Sequence, residues 1–164
     1  GERRFTDFLE SYLPANPGNI LTDTGEIIGQ HNGLMFHTIG QRKGLGIGGL
    51  KNKSEGSWYV CDKNISNNNL VVVQGKDHER LFKRTLYVSE LKWINEKFNP
   101  SFPLVCSAKT RYRQVDQECT VTKNDNGFLI TFKTQQRAIT PGQYLVLYNE
   151  NICLGGGIIQ YAYE

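Results

Sequence analysis

From Arg84 onward the chain is written as short apolar or alternating runs punctuated by turn residues, and that pattern leaves few folds open. Arg84 to Trp93, Pro103 to Arg113, Gln117 to Lys123, Phe128 to Lys133, Gln143 to Tyr148 and Ile152 to Tyr161 read as six strands. Asn99-Pro100, Asn126-Gly127, Pro141-Gly142 and Asn149-Glu150-Asn151 separate several of them. Strands this short expose their edges unless the sheet closes, and little helical sequence lies between them to cover one. The pattern predicts a closed or nearly closed antiparallel β-barrel. Gly155-Gly156-Gly157 within the last run predicts a bulge or the close approach of another backbone.

The first half has a different texture. Phe5, Phe8, Leu9, Tyr12 and Leu13 follow helical spacing and Pro14 stops them, so a short amphipathic helix is expected there. Asn19 to Thr22 and Glu26 to Gln30 flank Asp23-Thr24-Gly25 as a hairpin. Leu34-Met35-Phe36 reads as a short helix, and His78 to Phe82 as one helical turn. Trp58 to Cys61 and Leu70 to Val73 read as strands around an Asn-rich turn. The fold expected is mainly β: a small mixed α+β domain over residues 1–82, then a six-stranded antiparallel barrel over residues 83–164.

Composition narrows the function classes. Of 164 residues, 38% are hydrophobic and 21% charged, which fits a globular protein able to bury a core. No apolar run approaches the roughly 20 residues of a membrane span, and no signal peptide is visible. The chain begins with Gly1 and its one methionine is Met35, so a piece of a longer protein is expected. Cys61, Cys106, Cys119 and Cys153 are widely spaced in strand-like runs, with no metal-binding spacing; they read as reduced core thiols of a cytoplasmic protein. His31, His37 and His78 are scattered among polar neighbours, and no carboxylate pair has acid–base spacing.

His37-Thr38-Ile39-Gly40-Gln41-Arg42-Lys43-Gly44-Leu45-Gly46-Ile47-Gly48-Gly49 is the most unusual stretch. Gln41, Arg42 and Lys43 open it, Gly44, Gly46 and Gly48 give a flexible backbone rich in N–H groups, and Leu45 and Ile47 supply apolar anchors. It lacks the Gly-Lys-Ser/Thr of a nucleotide-binding P-loop and the spacing of a dinucleotide fingerprint. It reads either as a phosphate-facing loop or as a linker packed on a neighbouring domain.

Charge is unevenly placed. Residues 1–82 hold nine Lys/Arg and nine Asp/Glu; residues 83–164 hold ten and seven. In Lys109-Thr110-Arg111-Tyr112-Arg113-Gln114 a strand would set Lys109, Arg111 and Arg113 in one row, roughly 7 Å apart, with Tyr112 beside it. Such a row suits phosphates along a nucleic-acid strand, and equally suits a solvated sheet edge. Gln143, at the turn Thr140-Pro141-Gly142-Gln143, could bond a base edge or simply start a strand.

Together, His37 to Gly49, Trp58-Tyr59-Val60, Lys109 to Arg113, Thr140 to Gln143 and Leu154-Gly155-Gly156-Gly157-Ile158, in this order, resemble the bacterial tRNA-specific 2-thiouridylases. The match runs from Gly1-Glu2-Arg3-Arg4-Phe5 almost to the end. The resemblance implies a protein that places sulfur at C2 of the wobble uridine of certain tRNAs. It implies an N-terminal domain, absent here, that binds ATP with Mg and adenylates the uridine oxygen. A persulfide cysteine and a helper cysteine then act, and none of the four cysteines here matches either. No cofactor is implied for this chain itself, which is expected to be inactive alone. What is present resembles the family's central domain and its C-terminal barrel, the latter similar to a translation-factor barrel. By position Arg111 and Tyr112 match family tRNA contacts, and Gln143 matches a further one; Lys109 and Arg113 extend that set by strand alternation. The implied partners are tRNA, the missing catalytic domain and a sulfur-donor protein, with no membrane. Gln41 to Gly49 is assigned to the catalytic-domain interface or to tRNA backbone. Two rival readings stand beside this one: a protein-docking module without RNA affinity, and a small-molecule enzyme using the glycine loop as a phosphate cradle.

Overall fold

The computed structural model describes residues 16–47 and 56–164; the helix expected over residues 5–13 lies outside them, as does Gly48. Among the described residues the regular structure comprises twelve strands and two single 3-10 turns, at Leu34–Phe36 and Glu79–Leu81. The chain divides into two compact units, one ending at Leu81 and the other running from Phe82 to Glu164.

In the first unit β1 (Gly18–Thr22) and β2 (Ile27–His31) form a hairpin, and β3 (Trp58–Asn64) and β4 (Asn69–Gln74) form another. β1 runs parallel to β4, which gives the order β2-β1-β4-β3. Turn chemistry fixes both hairpins. Gly25 holds φ at 90°, where other side chains are strained, and the Glu26 amide donates to Thr22 Oγ1 at 3.1 Å. Asn68, in the second turn, sits at φ 59°, a conformation asparagine tolerates. Ile20, Val60, Leu70 and Val72 are fully buried between them. A Cβ on Gly29 would lie 2.7 Å from the Ile47 side chain, so glycine in β2 is what lets the glycine-rich segment seat that anchor on the sheet.

The second unit contains β5 (Phe82–Val88), β6 (Lys92–Trp93), β7 (Leu104–Lys109), β8 (Gln117–Asn124), β9 (Gly127–Arg137), β10 (Tyr144–Asn149), β11 (Ile152–Ile158) and β12 (Tyr161–Tyr163). They pair in the order β12-β5-β9-β8-β7-β10-β11-β6. β11 and β12 are successive parts of one run, interrupted at Ile159 and Gln160. The first part pairs with β10 and the second with β5, at opposite ends of the order. Between them the Gln160 amide donates to the Tyr87 carbonyl at 2.9 Å. The ladders therefore return on themselves through the last run, and β6 adds to the side of β11.

Alternation fills the interior: Leu86 and Val88, Cys106 and Ala108, Cys119 and Val121, Ile130 and Phe132, Leu145 and Leu147 face inward, with Ile159 from the last run. The three glycines of β11 are sites of close approach. A Cβ on Gly155 would lie 2.1 Å from the Lys92 carbonyl oxygen, and one on Gly156 would lie 2.1 Å from that of Leu145.

Two of the strand readings end early. The run Arg84–Trp93 breaks after Val88, because Leu91 turns into the core and sends Lys92 and Trp93 to a different partner, β11. The run Pro103–Arg113 ends at Lys109, and the reason for that is the architecture of the candidate site.

Candidate nucleic-acid interface

The hairpin of β7 and β8 has its last paired residues at Ala108 and Gln117, so the segment between them is a loop rather than strand. Its frame is Gln114. The side-chain oxygen of Gln114 accepts from both the amide and the hydroxyl of Thr110, each at 3.0 Å, and its Nε2 donates to Gln136 Oε1 at 2.8 Å. Thr110 and Gln136 are both buried, so these bonds satisfy polar groups that have little water to turn to. The Gln114 amide closes the turn on the Arg111 carbonyl at 3.2 Å.

A second loop, from the end of β9 to the start of β10, meets the first. Arg111 Nη2 donates to the Ala138 carbonyl at 3.0 Å, and Thr140 Oγ1 donates to the same oxygen at 3.1 Å. Ala138 holds φ at 60°, and Ala138, Ile139 and Thr140 are buried. The Gln143 amide bonds the Thr140 carbonyl, and the Gln143 carbonyl accepts from the Ile159 amide at 2.9 Å, which ties this loop to the last strand run. The Gln143 side-chain oxygen is buried without a hydrogen-bond partner.

The structure therefore brings Arg111, Tyr112, Arg113 and Gln143 to one end of the second unit. Tyr112 is 95% exposed at the tip of its turn, with no core role at all. Arg113 is exposed beside it. Arg111 is pulled below the ordinary guanidinium value, first by burial and then by the nearby positive charge of Arg137; it remains a cation at neutral pH. Arg137 is a charge that strand reading missed, because the Phe128 run was ended at Lys133 while β9 continues to Arg137.

The single row of Lys109, Arg111 and Arg113 does not exist. Lys109 is the last residue of β7, with its Nζ 5.0 Å from the centre of the Tyr148 ring on neighbouring β10. Arg111 and Arg113 belong to the turn. Strand alternation failed here because Gln114 withdraws the Thr110 amide and hydroxyl into a local contact, ending the ladder.

In the first unit, the glycine-rich loop is held by its own backbone and by Gln41. The Thr38 amide donates to Gln41 Oε1 at 3.0 Å, and Gln41 Nε2 donates to the Lys43 carbonyl at 2.8 Å. The Gly40 amide and the Gln41 carbonyl both bond Val60 of β3. Gly44 and Gly46 hold φ at 78° and 68°, Leu45 and Ile47 are buried, and Arg42 and Lys43 face solvent. His31 and His37, on either side of the Leu34–Phe36 turn, bring their ring centres to 6.1 Å. His78 Nε2 lies instead 3.6 Å from Asp23.

Among the described residues no group of three or more His, Cys, Asp or Glu could hold a metal ion. Cys106 and Cys119 face each other across β7 and β8 with their sulfurs 3.8 Å apart inside the core. The Cys119 thiol is pushed far above its ordinary value, first by its hydrogen bond with Cys106 and then by burial, the opposite of what a nucleophile needs.

Two family models match the chain: residues 6–74 match a tRNA methyl transferase PRC-barrel domain and residues 83–159 an aminomethyltransferase beta-barrel domain. A tRNA-specific 2-thiouridylase MnmA of Pseudomonas savastanoi pv. phaseolicola is 57% identical over 162 residues, which is 99% of this chain and 43% of that protein. The MnmA of Hahella chejuensis is 56% identical over the whole chain and 45% of its own length, and that of Psychromonas ingrahamii is 55% identical over 98% and 44%. The chain belongs to the tRNA-specific 2-thiouridylase family. It spans less than half the length of these relatives. No helix among the described residues is long and apolar enough to cross a membrane.

Proposed function

We propose that this chain is the tRNA-holding part of a cytoplasmic tRNA 2-thiouridylase. Its relatives carry that activity in their names. In this reading the second unit grips tRNA while a catalytic domain outside the chain transfers sulfur to C2 of the wobble uridine. ATP, Mg and the sulfur-donor protein are then matters for that domain, and this chain alone is inactive.

The observation that supports the reading best is the Arg111–Tyr112–Arg113 turn. Two cations flank an aromatic ring with nothing to pack on, and the turn is anchored at its base by Gln114 and by the Arg111 bond to Ala138. Arginine pairs with phosphate oxygens, and an exposed tyrosine stacks on an unpaired base, worth about 1–3 kcal/mol per base. Gln143 lies in the adjacent loop, but its unpartnered oxygen is buried, so it would meet a ribose or base only if the side chain turned outward. Lys109, on the outer wall beside Tyr148, would add only long-range attraction.

The test is a titration of tRNA into the native protein and into Arg111→Ala/Arg113→Ala at several salt concentrations. Each lost phosphate contact lowers the steepness of log affinity against log salt by about 0.7–0.9. The double variant should bind more weakly and with a slope shallower by about 1.5. An unchanged slope would refute the assignment of these two arginines to phosphates. A native protein with no tRNA affinity at low salt would instead favour a protein-docking module.

A further inference from the structure

The glycine-rich loop and the paired histidines remain outside that account. They share a cavity of about 550 Å³ in the first unit, walled by β2, the Leu34–Phe36 turn and the loop itself. That volume lies in the range of sites for drug-sized ligands, roughly 300–1,000 Å³. Its lining is chemically mixed: the ring of Phe36 and the side chain of Leu45, the amides of Gln30 and Asn32, the cation of Lys43, and both His31 and His37.

Polar groups in this wall are left wanting partners. His31 is 3% exposed and His37 is 8% exposed, and the Nδ1 of each has no hydrogen-bond partner. The His31 tautomer is fixed by its other nitrogen, since Nε2 lies 2.8 Å from the Asn68 carbonyl and must donate to it. His31 Nδ1 is thereby a bare acceptor in the neutral ring. His37 is held below its ordinary value, first by burial and then by the neighbouring His31, against the opposing pull of a hydrogen bond with the Gln41 side chain, and its Nδ1 is left without a partner. A bare acceptor on His31 and a second unpartnered ring nitrogen on His37 call for a ligand that carries hydrogen-bonding groups, N–H or O–H for His31. The loop supplies the complementary feature at its rim: Lys43 is exposed, and the left-handed backbones of Gly44 and Gly46 carry no side chain to obstruct it.

We propose that this cavity binds a single unpaired nucleotide, with its phosphate at Lys43 and a hydrogen-bond-donating base edge at the His31–His37 pair. Phe36 and Leu45 give the base an apolar wall, and the Gln30 and Asn32 amides can read its remaining edge. The nucleotide comes either free or as one unstacked residue of an RNA chain, since both present the same base and phosphate. The site lies in the first unit and uses none of the residues of the barrel turn.

The test is calorimetric titration of the native protein with each of the four ribonucleoside monophosphates, with uridine and adenosine, with inorganic phosphate, and with single-stranded tetranucleotides. At least one monophosphate should bind more tightly than both its nucleoside and phosphate alone. Lys43→Met, on an exposed side chain, should weaken that binding about tenfold, the value of one phosphate contact, while leaving the melting temperature unchanged. His37→Phe should weaken discrimination among the four bases; if that variant fails to fold, Asn32→Ala tests base reading at the remaining edge and should likewise narrow the differences among the four. Tetranucleotides that outcompete the monophosphate would assign the site to RNA, and the reverse would assign it to free nucleotide. Binding of phosphate alone as tightly as nucleotide, no binding at all, or indifference to Lys43→Met would overturn the proposal. Arg111→Ala should leave nucleotide binding untouched while lowering tRNA affinity, so the two readings fail independently.

Discussion

Gln114→Ala removes one half-exposed side chain, yet it should cost the second unit more than most surface substitutions. Its oxygen serves two donors of Thr110, and its nitrogen serves the oxygen of Gln136. Thr110 is 3% exposed and Gln136 is 5% exposed, so the groups left behind are poorly placed to recruit water. A stranded buried amide or hydroxyl costs about 1–3 kcal/mol. With partial repair by water on the open side of the loop, a total near 2–4 kcal/mol is expected. For a unit of this size each kcal/mol lowers the melting temperature by roughly 4–8 °C, so a fall of at least about 8 °C should be seen by calorimetry. Gln114→Glu sharpens the test, because a carboxylate keeps both bonds from Thr110 but faces the Gln136 oxygen without a proton to donate. It should fall between native and alanine. Both variants should also weaken tRNA binding, since the turn that carries Tyr112 loses its frame. If Gln114→Ala melts with the native protein, the loop is not organised by this residue and the explanation for the end of β7 is wrong.

Tyr112→Ala should leave stability within about 0.5 kcal/mol, because the ring is almost wholly exposed, while lowering tRNA affinity by roughly five- to hundredfold; equal affinity in a filter-binding assay would remove the stacking role. Gly156→Ala should unfold the second unit at markedly lower denaturant, since the new Cβ meets the Leu145 carbonyl oxygen at 2.1 Å and neither strand can yield without breaking its ladder. For His37, the folded state binds a proton less readily than the unfolded chain, whose ordinary value is 6.5. Its contribution is therefore intact above that pH and is lost as pH falls through the lower folded value. Native stability should drop more steeply than that of His37→Gln between pH 7 and pH 5.5; parallel curves would show that His37 is not the group responsible.

Where period-two alternation and turn residues agreed, the sequence was a sufficient guide. Leu145-Val146-Leu147 and Ile130-Thr131-Phe132 alternate in and out as written, and the glycine triplet marks a close backbone approach. The hairpins of the first unit were legible for a similar reason: Gly25 and the Asn-rich turn supply conformations that other residues resist. What alternation could not reveal was a side chain that outcompetes the ladder. Lys109 to Arg113 has the composition of a strand, and only Gln114, four residues beyond Thr110, ends it. Arg137 joined the candidate interface because a strand outran its apolar core, and no local signal marks that. The meeting of His31 and His37 is short in sequence but depends on how the 3-10 turn between them redirects the chain, which residue spacing alone does not give.

The central claim is that the second unit holds tRNA through the turn at its end. Fluorescence anisotropy of labelled whole tRNA, titrated with the native protein and with Arg111→Ala/Arg113→Ala at low and at physiological salt, tests it most directly. The account predicts weak native binding, on the order of 10⁻⁴–10⁻⁶ M at physiological salt, tighter at low salt and reduced in the double variant. Native and variant curves that superimpose at both salts, or the absence of binding even at low salt, would contradict it.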